Sequence, residues 1–240
     1  MVSVELRDIT VRYATRDGAQ AGVRNISLSV GPGQFVALVG RSGAGKTTIL
    51  NAIAGITQTA GITIHPSNAR QHIGYAFQTP RLLPWRTIHD NVALPLLLRL
   101  RNQREVATER VENVLAMFDI GKLAKRYPSE CSEGERARAG CARAFVIEPQ
   151  LLLLDEPFSH VDQINATTLR QRVLELWQRQ RFTTILVTHD IREAIEMADR
   201  VVVVAPSGII EIEIQNSRPR VIEDGSLQNV YERIKDALRE

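Results

Sequence analysis

A glycine-rich segment around residue 40 constrains this chain more than any other part of its sequence. It follows an apolar run, Phe35–Val39, which predicts a strand buried on both faces. A helix is predicted directly after it, from Lys46 to Ala54. The segment fits the pattern G-x-x-x-x-G-K-[ST] and reads Gly40-Arg41-Ser42-Gly43-Ala44-Gly45-Lys46-Thr47, with Thr48 next. A strand, a glycine-rich loop and a helix in this order predict a phosphate-binding loop.

The residue types of this loop suit a bound nucleoside triphosphate. Glycines allow the backbone to curl so that its N–H groups converge on the β-phosphate. Lys46 is predicted to reach the β- and γ-phosphates, and the hydroxyl of Thr47 to bind Mg2+. The alternative is a chance glycine-rich turn, which the flanking strand and helix argue against. We therefore predict that residues 40–48 bind the nucleotide.

A pair of carboxylates follows a second buried strand. Asp155 and Glu156 come directly after the apolar run Leu151–Leu154, at the strand end where open α/β sheets bind ligands. Asp155 is predicted to hold Mg2+, and Glu156 to polarise the attacking water as general base. Acidic residues after strands also serve as helix caps, but the phosphate loop favours the functional interpretation. The two motifs together predict a P-loop NTPase.

The remaining apolar runs indicate how the chain is organised. Further buried strands are predicted at Thr184–Val187 and Val201–Ala205, so strands alternate with helices, as in an α/β core with a mainly parallel sheet. At the N-terminus, strands at Val2–Tyr13 and Val23–Val30 are separated by a turn at Arg16-Asp17-Gly18, which predicts an antiparallel β subdomain.

Helical patterns replace strand-like runs in the middle of the chain. They lie at Arg104–Phe118 and Gly134–Val146 and predict an inserted α-helical subdomain. We expect one domain over residues 1–240, with an α/β core at 1–79 and 145–205, a helical insert at 80–144, and a short C-terminal extension at 206–240. The extension contains a β-like stretch, Ile209–Ile214, and a final helix, Leu227–Leu238.

Composition excludes several classes of protein. The net charge of +3 over 240 residues is too small to indicate a nucleic-acid binder. Cys131 and Cys141 fit no metal spacing and are too few for a disulfide framework, so we expect reduced thiols in the cytoplasm. Met1–Val11 lacks the apolar run of a signal peptide, and the apolar stretches fall short of the roughly 20 residues that span a bilayer. If this protein works at a membrane, another polypeptide must supply the crossing.

The chain resembles the ATP-binding cassette (ABC) family, a group with a RecA-like P-loop core, over about residues 4–205. Tyr13 stands where that family stacks an aromatic ring on adenine, although a half-buried strand tyrosine is the alternative. Gln78, in Tyr75-Ala76-Phe77-Gln78, matches the glutamine that senses Mg2+ and water. His189, in Val187-Thr188-His189-Asp190, matches the switch histidine that contacts the γ-phosphate. The resemblance implies ATP and Mg2+ as cofactors, with Gln78 and His189 acting beside Glu156 in catalysis.

A second resemblance is less complete. Cys131-Ser132-Glu133-Gly134-Glu135 stands where the family has its signature Leu-Ser-Gly-Gly-Gln, which closes over ATP held by the partner subunit. Ser132 and Gly134 match, whereas Glu133 and Glu135 place negative charge near a phosphate. We expect both carboxylates to point away from the nucleotide. Ser159-His160-Val161-Asp162 resembles the family segment that signals across the dimer, but no role can be assigned to His160.

The resemblance also implies partners. A cassette that caps its partner's ATP requires a second copy of itself, arranged head to tail with two nucleotides at the interface. One cassette without a membrane span suits an importer with separate permease subunits, contacted near Gln78 to Trp85, together with an extracytoplasmic solute-binding protein. This places the chain peripherally on the cytoplasmic side of the cell inner membrane, with no nucleic-acid partner. The segment Leu82-Leu83-Pro84-Trp85 followed by Asp90-Asn91-Val92 looks most like the nitrate/sulfonate/taurine importer branch.

Other functions remain open at this point. Importers of heterocyclic vitamin precursors carry similar cassettes, because the cassette itself does not recognise the solute. A soluble ABC ATPase outside transport is a different class, but such proteins usually carry coiled coils, zinc modules or tandem cassettes. A P-loop kinase is a third class, against which the matches at Gln78, Ser132, Gly134 and His189 argue.

Overall fold

The computed structural model describes residues 2–14, 20–99, 104–159, 161–205, 208–220, 225 and 227–239. The chain forms two compact units. The first comprises Met1–Gln71 and Phe182–Glu240, and the second comprises His72–Arg181. Among the described helices, none combines the length and apolar character needed to cross a membrane.

The first unit begins with an antiparallel sheet. Strand β1 (Ser3–Ala14) lies between β2 (Gln20–Val30) and β4 (Ile62–His65) and pairs antiparallel with both. Alternate residues of β1 and β2 are buried, as expected of a sheet with one face against a core. The predicted N-terminal β subdomain is thus confirmed. The predicted turn at residues 16–18 lies outside the described residues.

The same unit contains the strand that leads into the glycine-rich loop. Strand β3 (Phe35–Gly40), buried at every position, has β7 (Thr183–Thr188) and β8 (Arg200–Ala205) as parallel neighbours. An antiparallel strand, β9 (Gly208–Glu213), pairs with β8. The helices of this unit are α1 (Lys46–Ile53), α6 (Ile191–Met197) and α7 (Gln228–Ala237). The prediction of a mainly parallel core sheet is confirmed.

The second unit pairs two parallel strands with four helices. Strand β5 (Ile73–Ala76) lies beside β6 (Leu151–Asp155), with Tyr75 opposite Leu153. The helices are α2 (Ile88–Arg99), α3 (Arg104–Met117), α4 (Glu133–Phe145) and α5 (Gln163–Gln180). The first three of these helices pack against one another. This unit therefore contains the predicted helical segment, while the exact bounds of the insert, 80 and 144, stay a prediction.

Candidate functional site

The glycine-rich loop has a left-handed backbone at Gly45 and no room there for a side chain. This residue caps α1 in the left-handed region, with φ of 87°. A Cβ built there would lie 2.2 Å from Val23 Cγ1, closer than two non-bonded carbon atoms approach. Gly43 is also left-handed, with φ of 82°. The loop can therefore turn tightly from β3 into α1.

The side chain of Lys46 is folded into the curve of this loop. Its Nζ donates to the carbonyl oxygens of Gly40 at 2.8 Å and Arg41 at 3.1 Å, and the residue is 6 % exposed. The first turn of α1 contains no acidic residue, so the positive end of that helix is available to an anion. The side chain of Thr47 is exposed, whereas Thr48 is buried. The first unit therefore has the strand, loop and helix geometry that a phosphate loop requires, while the roles of residues 40–48 at a nucleotide stay a prediction.

A cavity of about 610 Å³ lies beside the loop. It is lined by residues 41–44 of the loop, by residues 22–26 of β2, by Val204, Ala205 and Gly208 of β8 and β9, and by Leu238. Its volume falls within the range of about 300–1,000 Å³ that small-molecule sites occupy. The loop thus borders open space large enough for part of a small ligand.

The two carboxylates lie where β6 ends. Asp155 is the last residue of β6 and is 5 % exposed, whereas Glu156 is partly exposed. Glu156 has φ of 45°, in the left-handed region that a non-glycine residue enters at a cost of about 1–3 kcal/mol. Strain of this kind is concentrated at functional sites. The strained backbone at Glu156 is therefore a second reason to assign a function to this pair of carboxylates.

Gln78 lies next to the second carboxylate. Its Nε2 donates to Glu156 Oε2 at 3.3 Å, and its side chain is otherwise exposed. The amide orientation in which the nitrogen faces the carboxylate leaves the oxygen of Gln78 free to bind a cation or water. The second unit therefore brings together three of the predicted site residues, Gln78, Asp155 and Glu156.

Tyr75 belongs to this cluster, although no motif in the sequence singles it out. Its hydroxyl donates to Asp155 Oδ2 at 3.4 Å, and its ring stacks on Phe77 with centroids 4.1 Å apart. Burial, together with the neighbouring Asp155 carboxylate, raises the pKa of Tyr75 above its ordinary value. The phenol consequently stays protonated at neutral pH and remains a donor. Only the pairing of β5 with β6 reveals the contact.

The other predicted residues lie at the ends of elements. His189 is exposed and directly follows β7. Tyr13 lies near the end of β1, where its backbone pairs with Ala21; its side chain lies outside the described residues. Ser132 caps the N-terminus of α4, and Gly134 is buried in the first turn of that helix. His160, in the predicted dimer-signalling segment, is outside the described residues.

The phosphate loop closes around Lys46, and the buried Asp155 is followed by the strained Glu156. These features define the class of P-loop NTPases. The family model described as "ABC transporter" matches residues 23–159. The chain belongs to the ABC transporter family, and it is an ATP-binding subunit with ATPase activity.

Curated relatives extend the likeness over nearly the whole chain. The aliphatic sulfonates import ATP-binding protein SsuB of Albidiferax ferrireducens is 38 % identical over 239 residues, covering 97 % of this chain and 82 % of the relative. The protein of the same name from Ralstonia nicotianae is 41 % identical over 211 residues, covering 85 % and 72 %. The sulfate/thiosulfate import ATP-binding protein CysA of Yersinia pestis is 39 % identical over 222 residues, covering 88 % and 60 %.

A solved structure agrees with these relatives. The ATP-binding cassette MJ0796, a dimer in a post-hydrolysis state bound to ADP and Pi, is 26 % identical with a TM-score of 0.80. The match covers 89 % of this chain and 100 % of that one. The predicted resemblance to ABC cassettes, including the sulfonate importer branch, is confirmed.

Proposed function

We propose that this chain couples ATP hydrolysis to the import of an anionic solute, of which an alkanesulfonate is the best-supported kind. The relatives named for aliphatic sulfonates and for sulfate and thiosulfate support an oxyanion of sulfur. The observation that carries the ATPase half of the proposal is the phosphate loop, in which Lys46 lies at hydrogen-bond distance from the carbonyl groups of Gly40 and Arg41.

The proposed roles at the nucleotide follow from the chemistry of each side chain. Residues 40–48 bind the phosphates, and Tyr13 stacks on the adenine. Mg2+ is bound by oxygen atoms of Thr47, Gln78 and Asp155, which are the ligands this ion prefers. Glu156 acts as general base on the attacking water, with Gln78 beside it and His189 contacting the γ-phosphate.

We propose that the active form is a head-to-tail dimer of this chain. Ser132 and Gly134 of one copy then cap the ATP held by the phosphate loop of the other. The related cassette that was solved as a dimer with ADP and Pi supports this arrangement. Two nucleotides at a symmetric interface would draw the copies together, and hydrolysis would release them.

The proposed membrane partner is a pair of permease subunits that contact residues 78–85. Trp85 supports this assignment, because its large apolar side chain is 71 % exposed. A solute-binding protein on the far side of the membrane completes the proposed importer. The chain itself would then be bound peripherally to the cytoplasmic face of the inner membrane.

The test is transport by the intact complex. The full chain would be purified with the permease that accompanies it and placed in vesicles containing ATP. The solute-binding protein would be added outside, with a radiolabelled alkanesulfonate, taurine, sulfate, nitrate or a pyrimidine vitamin precursor. We expect ATP-dependent uptake of a sulfonate and none with Lys46→Ala. Uptake of the vitamin precursor alone would overturn the solute assignment, and the absence of any co-purifying membrane protein would overturn the transport function.

A further inference from the structure

The segment that follows β9 turns back over the carboxyl end of α6. Arg220 is the centre of this contact and is only 9 % exposed. Its guanidinium donates to four backbone carbonyl oxygens: those of Asn216 at 2.7 Å, Ile195 at 3.0 Å, Ile214 at 3.3 Å, and Ala198. Two of these carbonyls belong to the last turn and C-cap of α6, and two to the segment itself. The side chain of Arg220 therefore links the C-terminal extension to α6 by hydrogen bonds.

Arg218 adds a second attachment at the same place. Its guanidinium donates to the carbonyl of Met197 at 2.6 Å and pairs with Asp199 Oδ1 at 2.7 Å. The other oxygen of Asp199 accepts from the backbone N–H of Phe35 at 2.9 Å, at the start of β3. The extension is thus attached to the end of α6 and, through Asp199, to the strand that leads into the phosphate loop.

Helix α6 has physical reasons to need such an attachment. It has seven residues, about two turns, and a helix this short is unstable without tertiary support. The last four carbonyls of any helix lack partners within it. In α6 the carbonyl of Ala194 is bound by the N–H of Ala198, while those of Ile195 and Met197 are bound by Arg220 and Arg218. Positive charge at this end also complements the helix dipole.

The opposite end of α6 is joined rigidly to the residue after β7. Asp190 caps the helix by accepting from the N–H groups of Arg192 and Glu193. Thr188 donates to the carboxylate of Glu193 and accepts from the N–H of Asp190 at 3.0 Å. His189 lies between these two bonded residues. Any displacement of α6 along its axis would therefore displace His189.

We propose that Arg220, supported by Arg218, is a positioning residue for His189. By capping α6, Arg220 fixes the position of this helix and, through it, the position of His189 after the end of β7. The C-terminal extension thereby stabilises the position of His189, the proposed catalytic histidine. This inference rests on the proposed role of His189 and gives residues 214–220 a function that their sequence does not indicate.

The test compares three variants of the full chain: Arg220→Met, Arg220→Lys, and Arg239→Met as the matched control. Arg239 lies near the end of the same extension, is 70 % exposed and pairs with Asp236, three residues earlier in the described part of the chain. Amide hydrogen exchange over residues 189–198 and the kcat and KM for ATP are measured on each. In Arg220→Met we expect exchange in α6 to be at least about tenfold faster, with α1 unchanged. We expect kcat to fall about tenfold or more and KM to stay within about twofold.

Arg220→Lys should change exchange in α6 and kcat less than Arg220→Met does. An ammonium group keeps the charge but cannot bond to all the carbonyls that the planar guanidinium reaches. The lysine variant also carries the measurement if Arg220→Met does not fold. Unchanged exchange in α6, or a change in KM without a change in kcat, would overturn the proposal. If the wild-type chain hydrolyses no ATP, the proposed function fails. The exchange measurement still decides whether Arg220 stabilises α6.

Discussion

Glu135 and Ser132 close the first turn of α4 through a reciprocal pair of hydrogen bonds. The backbone N–H of Ser132 donates to Glu135 Oε2 at 2.7 Å, and the N–H of Glu135 donates to Ser132 Oγ at 3.2 Å. This is a capping box, a motif in which the fourth residue is glutamate or glutamine. The departure of Glu135 from the family signature therefore preserves the function that a glutamine would have at the helix start. Glu133 is 70 % exposed and lies 3.9 Å from the guanidinium of Arg136.

This arrangement predicts the effect of restoring the family signature. The combined variant Glu133→Gly and Glu135→Gln should hydrolyse ATP as fast as the wild-type chain or faster. Glutamine retains the capping box, and the variant loses two negative charges that would repel a phosphate by about 1 kcal/mol each at 4 Å in water and by about 4 kcal/mol at a semi-buried site. Steady-state kcat and KM for ATP test this expectation. A collapse of kcat would show that the glutamates have a positive role.

Gly134→Ala separates folding from function in the same loop. A Cβ at this position would meet Val161 Cγ1 at 3.5 Å, which is ordinary van der Waals contact. Alanine should therefore fold well and stabilise α4 by about 0.5–1 kcal/mol. If the backbone of Gly134 approaches the partner's nucleotide as proposed, the added methyl group should reduce kcat about tenfold or more, about 1.4 kcal/mol of transition-state binding.

Thermal unfolding and ATPase assays on that variant give the two readouts. Gly121→Ala is the matched control, because a Cβ there would meet no atom within 4 Å. We expect the control to raise the midpoint of unfolding slightly, as alanine does at a compatible backbone position, and to leave kcat unchanged. Equal ATPase activity in Gly134→Ala and the wild-type chain would contradict the proposed role of this glycine.

Tyr75→Phe tests whether the tyrosine orients the proposed Mg2+ ligand. Removing the hydroxyl leaves Asp155 Oδ2 without the donor at 3.4 Å, so the carboxylate should lose part of its orientation. Partners of metal ligands typically contribute 10- to 100-fold in metal affinity, and this long hydrogen bond should contribute about tenfold. We expect the Mg2+ concentration for half-maximal ATPase to rise by that factor. Tyr231→Phe, in α7, is the control, and superimposable Mg2+ curves for the two variants would refute the prediction.

Glu156→Gln should retain ATP binding but stall hydrolysis. The amide cannot accept a proton from water, so kcat should fall by about 100-fold or more. Its shape still allows contact with Gln78, which lies 3.3 Å from the carboxylate in the wild-type chain. Size-exclusion chromatography with ATP should then detect an accumulated dimer. Hydrolysis at the normal rate would show that the general base is a different group.

The buried strands were predictable because both their faces are covered. The apolar runs at 35–39 and 151–154 became β3 and β6, with every described position of each strand buried. Helix α2 was not predicted, since its apolar residues surround the helix and Pro95 lies inside it. A periodic pattern is visible only when one face of a helix is polar. A helix such as α2, whose apolar residues keep to no single face, is therefore hard to recognise from the local sequence.

The residues that the sequence did not reveal act through partners distant along the chain. Tyr75 reaches Asp155 only because β5 pairs with β6 in one register. Arg218 and Arg220 lie in a polar Ser-Arg-Pro-Arg stretch that resembles an ordinary surface loop. Their burial depends on unpaired carbonyls at the end of α6, which no local pattern indicates. The phosphate loop, in contrast, can be predicted from the sequence, because all of its donors lie within nine consecutive residues, 40–48.

The thiol of Cys141 predicts how stability changes in alkaline solution. Cys141 is 1 % exposed, and burial raises its pKa from 9.0 to about 12. The unfolded chain therefore releases this proton at lower pH than the folded chain does. Below pH 9 both states hold the proton and stability is unaffected. Between about pH 9 and 12 the free energy of unfolding should fall as pH rises, by up to about 1.4 kcal/mol per pH unit from this group.

Urea unfolding of the wild-type chain and of Cys141→Ala at pH 8, 9.5 and 10.5 isolates this contribution. Lysines and tyrosines also titrate in this range, but they do so in both proteins, so the difference between the two curves reports the thiol. The variant should be less stable than the wild-type chain at pH 8, because it leaves a small cavity. That gap should narrow as the pH rises, because only the wild-type chain must keep a buried thiol protonated. A gap that stays constant across the three pH values would mean that Cys141 titrates alike in the folded and unfolded chains.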